Sequence, residues 1–274
     1  MYSVFGGTPA YITQINPAHD IYWNIDKQIL NFDSFIYRDI KFILLEELEE
    51  PGYYFSILES IASGSTNLGK ITNYTGLDRG LVNKYLGVLI DLGIIKREIP
   101  VTESVRSKKG LYSIKDNAFA FWFRFILPSE DLIDLGRGEV ALKRIKNGLN
   151  SYLGRTFENI AKEFLWDMNL KDGVPFSFLK LGSWWYKERE IDIIALDDES
   201  NIFFCEVKWK DMSEAETMSL IGQLKEKSEH VHWRNESRNE HYGIIARTIE
   251  GKDKLTDAGY FVFDLLDFEK LLIE

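Results

Sequence analysis

The stretch from Arg189 to Lys208 constrains the chain more than any other. Arg189 to Leu196 reads REIDIIAL, Asp197 to Asn201 is wholly polar, and Ile202 to Lys208 reads IFFCEVK. Two apolar, β-branched or aromatic runs joined by a short polar turn predict a β-hairpin. Side chains alternate along a strand, so Glu206 and Lys208 share one face and Cys205 takes the other. Asp192 lies on the partner strand. Two carboxylates and an ammonium converging at a sheet can hold a divalent cation and ready a water for attack on phosphate. The plainer alternative is a surface salt-bridge network on an edge strand. Ile202, Phe203, Phe204 and Val207 argue for a central strand instead.

Around this hairpin the chain from Leu153 onward reads as helix, three strands, helix, strand, then a short helix, a strand and a terminal helix. This is an α/β layered domain, expected over 151–274. Its first helix, Arg155 to Met168, turns Phe157, Ile160, Ala161, Phe164 and Leu165 inward and carries Glu158 at the edge of that stripe. Ser213 and Glu216 form a capping box at the helix after the hairpin. Glu158, Asp192, Glu206 and Lys208 are the candidate catalytic set, with Glu158, Asp192 and Glu206 as candidate metal ligands. Crowded carboxylates repel one another, and Mg²⁺ or Mn²⁺ would relieve that repulsion. His230 and His232 lack a nearby third ligand and read as surface or packing residues. The tryptophans, Trp184 and Trp185 among them, are expected in the core.

Upstream, residues 51–115 read as a winged helix-turn-helix. Helices are expected over Tyr54 to Ala62, Leu68 to Thr75 and from Asp78 to about Leu92, followed by two strands around a basic loop. From Asn67 to Lys115 the cations number nine against four acids, although the whole chain carries −10. Arg79, Lys84, Arg106, Lys108 and Lys109 are the candidate nucleic-acid contacts, and DNA is the expected partner. A winged helix used for protein contacts is the alternative. Residues 1–50 are expected to be helical and incomplete, with Phe32, Phe35, Ile36, Ile40, Ile43 and Leu44 at helical spacing. Residues 116–150 form a helical connector, opening on the aromatic run Phe119 to Phe125, expected to be buried between domains with Arg124 paired or turned outward. The overall class is α+β or α/β with a mixed sheet.

Gly64 to Lys70 matches the first seven positions of a phosphate-binding loop, but Ile71 stands where the Mg²⁺-holding hydroxyl belongs and a helix precedes it. It reads as the turn into the second helix of the winged helix, and ATP hydrolysis by this chain alone is not expected. One cysteine excludes a disulfide framework or a cysteine-rich zinc site. No apolar run approaches the roughly 18 residues of a membrane span, so no membrane association and a cytoplasmic location are expected.

The hairpin with Glu158 upstream resembles the PD-(D/E)xK nuclease core, whose αβββαβ order matches residues 155–247. The resemblance puts Asp192 on the metal-binding aspartate, Glu206 and Lys208 on the E-x-K pair and Glu158 on the first-helix glutamate. Ile191 stands where the motif has proline. Gln223 and Lys225 fall in the zone where some members place an auxiliary polar residue. The wider chain resembles the C-terminal region of archaeal ATPases of the AAA+/STAND type, through the segment Phe5 to Tyr11, Ile61 to Gly64, Leu92 to Ile94 and Phe121 to Phe123. It lacks their nucleotide-binding half, and residues 1–50 would be a remnant of the ATPase lid. These resemblances imply a DNA-binding, Mg²⁺-dependent nuclease-like protein, or a non-catalytic DNA- or protein-binding regulatory module of an ATPase system. A separate ATPase module or a second copy of the chain is the implied protein partner.

Overall fold

The computed structural model describes the backbone of residues 1–273 and side chains as far as Leu271. The chain divides into two compact units, one of Met1–Glu98 with Lys109–Asn150, the other of Ile99–Lys108 with the chain from Ser151 onward.

The first unit opens with α1 (Tyr2–Phe5), α2 (Pro9–Ile12), α3 (Ile21–Gln28) and α4 (Phe35–Glu47). Ile36, Ile40 and Leu44 recur every fourth residue and form the buried stripe of α4. Phe32, Phe35 and Ile43, expected on that same face, are exposed, with Phe42 and Leu45 beside them. The apolar surface of α4 is wider than the single stripe that its own unit covers.

Next come α5 (Pro51–Ala62), α6 (Leu68–Thr75), α7 (Arg79–Asp91), β1 (Ile95–Glu98) and β2 (Leu111–Ile114). This is the layout of a winged helix. Local chemistry sets each boundary. Asn67 caps α6, accepting from the Lys70 N–H, and Gly76 ends it in the left-handed region at φ 67°. Asp78 caps α7 through the Gly80 and Leu81 N–H groups. The strands pair antiparallel from Ile95↔Ile114 to Glu98↔Leu111. The loop between them departs from the simple plan: residues 99–108 group with the second unit. There the Val101 N–H donates to the Ser183 carbonyl at 3.0 Å.

After α8 (Asn117–Phe121) the aromatic run widens into a π-helical turn over Trp122–Ile126 and a 3₁₀ turn over Leu127–Ser129, followed by α9 (Glu130–Asp134). Apolar residues at nearly every position do not fit one α-helical face, and the wider turn lets Phe121, Trp122, Phe123 and Ile126 all bury while Arg124 points outward. Trp122 and Phe123 meet Phe55 edge-on within this unit.

Instead of a connector followed by a fresh helix at Arg155, one helix of 33 residues, α10 (Gly138–Leu170), runs through position 150. Ala141, Ile145 and Leu149 bury at four-residue spacing and lead into Phe157, Ala161, Phe164 and Leu165. No proline interrupts them, and Asn147, Asn150 and Ser151, residues of the capping types, stay within the helix. Gly148 and Gly154 mimic a break in the sequence without making one.

The second unit continues with β3 (Lys180–Tyr186), β4 (Arg189–Leu196), β5 (Asn201–Met212), α11 (Glu214–Ser228), β6 (Asn239–Ile249), α12 (Lys252–Asp257), β7 (Phe261–Phe263) and α13 (Leu265–Ile273). Ser213 and Glu216 make the full capping box at α11. The strands lie in the order β3-β4-β5-β6-β7, antiparallel on the β3 side of β5 and parallel on the β7 side. This mixed sheet makes β5 the central strand and sets aside the edge-strand alternative. One face packs Ile194, Ile202, Phe204 and Ile244 against Ile221 and Leu224 of α11. The other packs Ile193, Ala195, Phe203 and Cys205 against Phe157, Ala161 and Phe164 of α10, with Phe268 of α13 alongside. Trp184 is buried, whereas Trp166, expected in the core, is 39 % exposed near the end of α10.

Gly243, in the middle of β6, has no room for a side chain. A Cβ there would lie 2.5 Å from the Phe261 carbonyl oxygen and 2.6 Å from the Phe203 ring. Backbone on one side and a buried ring on the other prevent easy relief. Gly243→Ala is expected to lower stability by about 2–3 kcal/mol in urea denaturation, without changing the helix content of the folded protein.

Candidate functional site

The site forms where β4 and β5 stop pairing. Their ladder runs from Leu196↔Ile202 to Ile193↔Cys205, and continuing the register would set Asp192 opposite Glu206. At that rung the Asp192 side chain takes over from the backbone: its Oδ2 accepts the Val207 N–H at 2.8 Å. The Ser183 hydroxyl holds the Asp192 carbonyl at 2.8 Å from the β3 side. β5 meanwhile stays paired to β6, with Glu206↔Ile244 and Lys208↔Ala246. The acid and lysine therefore sit on a strand fixed along its other edge.

Glu206 and Lys208 continue the face that carries Ile202 and Phe204, as strand alternation requires. Lys208 Nζ stands 2.7 Å from Glu206 Oε2 and 3.1 Å from Asp192 Oδ2. The other oxygen of Glu206, Oε1, receives Lys227 Nζ from the last turn of α11 at 2.6 Å. The Glu206 side chain is 2 % exposed, against 36 % and 31 % for Lys208 and Lys227. The carboxylate is buried, and the two lysines that hold it are partly exposed. Burial and the Asp192 charge push the Glu206 carboxyl upward, and Lys208 and Lys227 pull it back. Burial opposes the Lys208 ammonium, but Asp192 and Glu206 outweigh it and raise its pKa.

Glu158 lies on α10 and feels the charges of Asp192 and Lys208. Burial first, then the Asp192 charge, push its pKa up to about 7, with Lys162 and Lys208 offsetting part of the effect. No hydrogen bond or ion pair reaches its carboxylate among the described residues. Cys205 points to the opposite face of the sheet, and burial, then Asp192 and Glu206, hold its thiol well above the ordinary range.

The donors present are hard carboxylate oxygens, which suit Mg²⁺ or Mn²⁺. One cation already bridges two of them, since the Lys208 ammonium stands between Asp192 and Glu206. Glu158 adds an acid whose charge is under-compensated. The chemistry of the set therefore fits a divalent ion. Both oxygens of Glu206 and Oδ2 of Asp192 are engaged by lysines, and among the described residues no three His, Cys, Asp or Glu side chains are grouped as a ready coordination shell.

Sequence reasoning missed two members: the Val207 N–H and Lys227. Gln223 and Lys225 were the expected auxiliary positions on α11, yet Gln223 is exposed, and Lys225 donates to the Tyr260 hydroxyl while standing over the Tyr242 ring. Lys227 falls four residues after Gln223, on the same helical face. That spacing is the signal that could have found it. Of the basic candidates, Arg79 and Lys84 are exposed on α7 and Lys109 is exposed in the same unit, whereas Arg106 and Lys108 are exposed on the loop of the second unit.

Residues 122–220 match the family DUF234, described as "Archaea bacterial proteins of unknown function". That span takes in Glu158, Asp192, Glu206 and Lys208. The chain is also 40 % identical over 270 residues to the uncharacterized protein MJECL04 of Methanocaldococcus jannaschii. The alignment covers 98 % of this chain and 59 % of that protein, so the chain spans less than two thirds of the relative's length. No solved structure matches the chain. Among the described residues, no helix is long and apolar enough to cross a membrane.

Folding raises the Glu158 pKa, so the native state binds this proton more tightly than the unfolded chain does. The resulting stability is fully present below the ordinary value of 4.5 and is lost as pH rises through about 7. In metal-free buffer, Glu158→Gln is expected to be more stable than wild type by roughly 2–3 kcal/mol at about pH 8 and near-equal at about pH 4. Urea denaturation at the two pH values checks this.

Proposed function

We propose that the chain is a DNA-binding, Mg²⁺- or Mn²⁺-dependent nuclease-like protein that hydrolyses phosphodiester bonds. The observation that carries this reading is the meeting of Asp192, Glu206 and Lys208 at one break in the sheet, within electrostatic influence of Glu158 on α10. Asp192, Glu206 and Glu158 would hold the metal. A bound divalent ion supplies positive charge to a phosphate oxygen and lowers the pKa of a water. Lys208, anchored by two carboxylates, keeps its charge in the pocket and offers a donor to the phosphate as negative charge grows there. In the reaction the water oxygen bonds to phosphorus and one bridging P–O bond breaks; the water gives up a proton and the departing oxygen takes one up. Arg79, Lys84, Arg106, Lys108 and Lys109 would meet the DNA backbone, a contact that weakens steeply with salt.

The relation to archaeal AAA+/STAND-type ATPases belongs to this proposal. It rests on the sequence resemblance, and it is compatible with a relative that is longer than this chain. The chain would then act with a nucleotide-binding module or as a homo-oligomer, in the cytoplasm where DNA is reached. A second reading, a non-catalytic DNA- or protein-binding regulatory module, is favoured by one observation: both oxygens of Glu206 are held by lysines.

Plasmid nicking separates the two readings. Wild type is expected to cut with Mg²⁺ or Mn²⁺, and Asp192→Ala or Lys208→Ala to lose at least about a hundredfold of that rate. Failure of the wild-type protein to cut any DNA in either metal leaves the regulatory reading standing. Replacing Arg106 and Lys108 together by Glu is expected to weaken duplex binding about tenfold at low salt and to flatten its salt dependence, measured by fluorescence anisotropy.

A further inference from the structure

Among the described residues Lys227 has one acceptor, Glu206 Oε1 at 2.6 Å, and it sits in the last turn of α11, partly open to solvent. Lys208 has two acceptors and stands on the central strand. The two lysines thus differ in how firmly each is held. Glu206 is buried, so it cannot lose a positive partner unless another takes its place. Lys227 itself can leave, because its four-carbon arm is flexible and its side chain is 31 % exposed.

We propose that Lys227 is a removable counter-ion that keeps Glu206 closed to metal until a phosphate of the nucleic acid draws the ammonium away. The inference rests on the metal-site reading above and adds a control to it. With Lys227 on Glu206, Oε1 is unavailable as a ligand. A phosphodiester is the ligand class that can take this ammonium, since it brings a fixed negative charge that accepts hydrogen bonds. Glu206 would hold a divalent ion through the oxygen that Lys227 vacates, and the Lys227 ammonium would pair with the phosphate, so that neither charge is left bare. Metal and nucleic acid then bind with positive coupling, and the coupling runs equally in both directions.

Mn²⁺ titration of the full chain by electron paramagnetic resonance tests this, with Lys227→Met, Lys227→Gln and Asp192→Ala alongside wild type. Lys227→Met is expected to bind Mn²⁺ at least about tenfold more tightly than wild type without nucleic acid, and Asp192→Ala to bind none. Lys227→Gln keeps a hydrogen bond to Glu206 without the charge, and gives the same answer if the methionine variant folds poorly. In anisotropy with a short phosphorothioate duplex, Mn²⁺ should raise wild-type DNA affinity severalfold and leave the Lys227→Met affinity nearly unchanged. Equal Mn²⁺ affinity in wild type and both Lys227 variants, with Asp192→Ala still deficient, overturns the counter-ion role alone. No Mn²⁺ binding by any of the proteins overturns the metal site and this inference together.

Discussion

The hydrogen bond from the Val207 N–H to Asp192 Oδ2 is the contact on which this half of the chain turns. A central strand buried on both faces must pair its backbone groups on both edges. β5 is paired to β6 along most of its length, but its pairing with β4 ends at Cys205. A buried N–H left open at that point would cost about 1–3 kcal/mol. A side-chain carboxylate closes the gap, and in doing so it is brought beside Glu206 and Lys208. The residue that completes the sheet is therefore also a member of the charged cluster.

Charge balance explains the rest of the pocket. Asp192 and Glu206 face two ammonium groups, so this part of the cluster is close to neutral. Glu158 is the remainder: among the described residues no ion pair reaches it, and burial first, then the Asp192 charge, raise its pKa. Buried ion pairs contribute little net stability by comparison with apolar packing. An apolar residue at position 206 alone would leave the Lys208 and Lys227 ammonium groups without this acceptor.

Much of this was legible because it depends on local rules. Alternation along β5 placed Glu206 with Lys208 and Cys205 away from both. The caps at Asp78 and Ser213 were legible from residue type and spacing, as was the αβββαβ order. What stayed hidden depends on tertiary partners. Two glycines masked the continuity of α10, because helix propensity alone cannot weigh the buried stripe of Ala141, Ile145 and Leu149. The exposure of Phe35 and Phe42 could not be told from burial, since both faces of α4 carry large apolar residues. Lys227 was missed because a lysine in the last turn of a helix already has an ordinary reason to be there, the helix dipole. Only the position of Glu206 on the sheet face that α11 covers singles it out.

The lone thiol has a use that follows from its address. Cys205 is sealed from water on the face opposite Glu206, one residue away along the same strand. While the sheet is closed, an aromatic disulfide reagent has neither access nor a thiolate to attack. Any labelling that does occur clocks the opening of β5 itself, so the unmodified chain carries its own reporter of breathing beneath the acidic cluster.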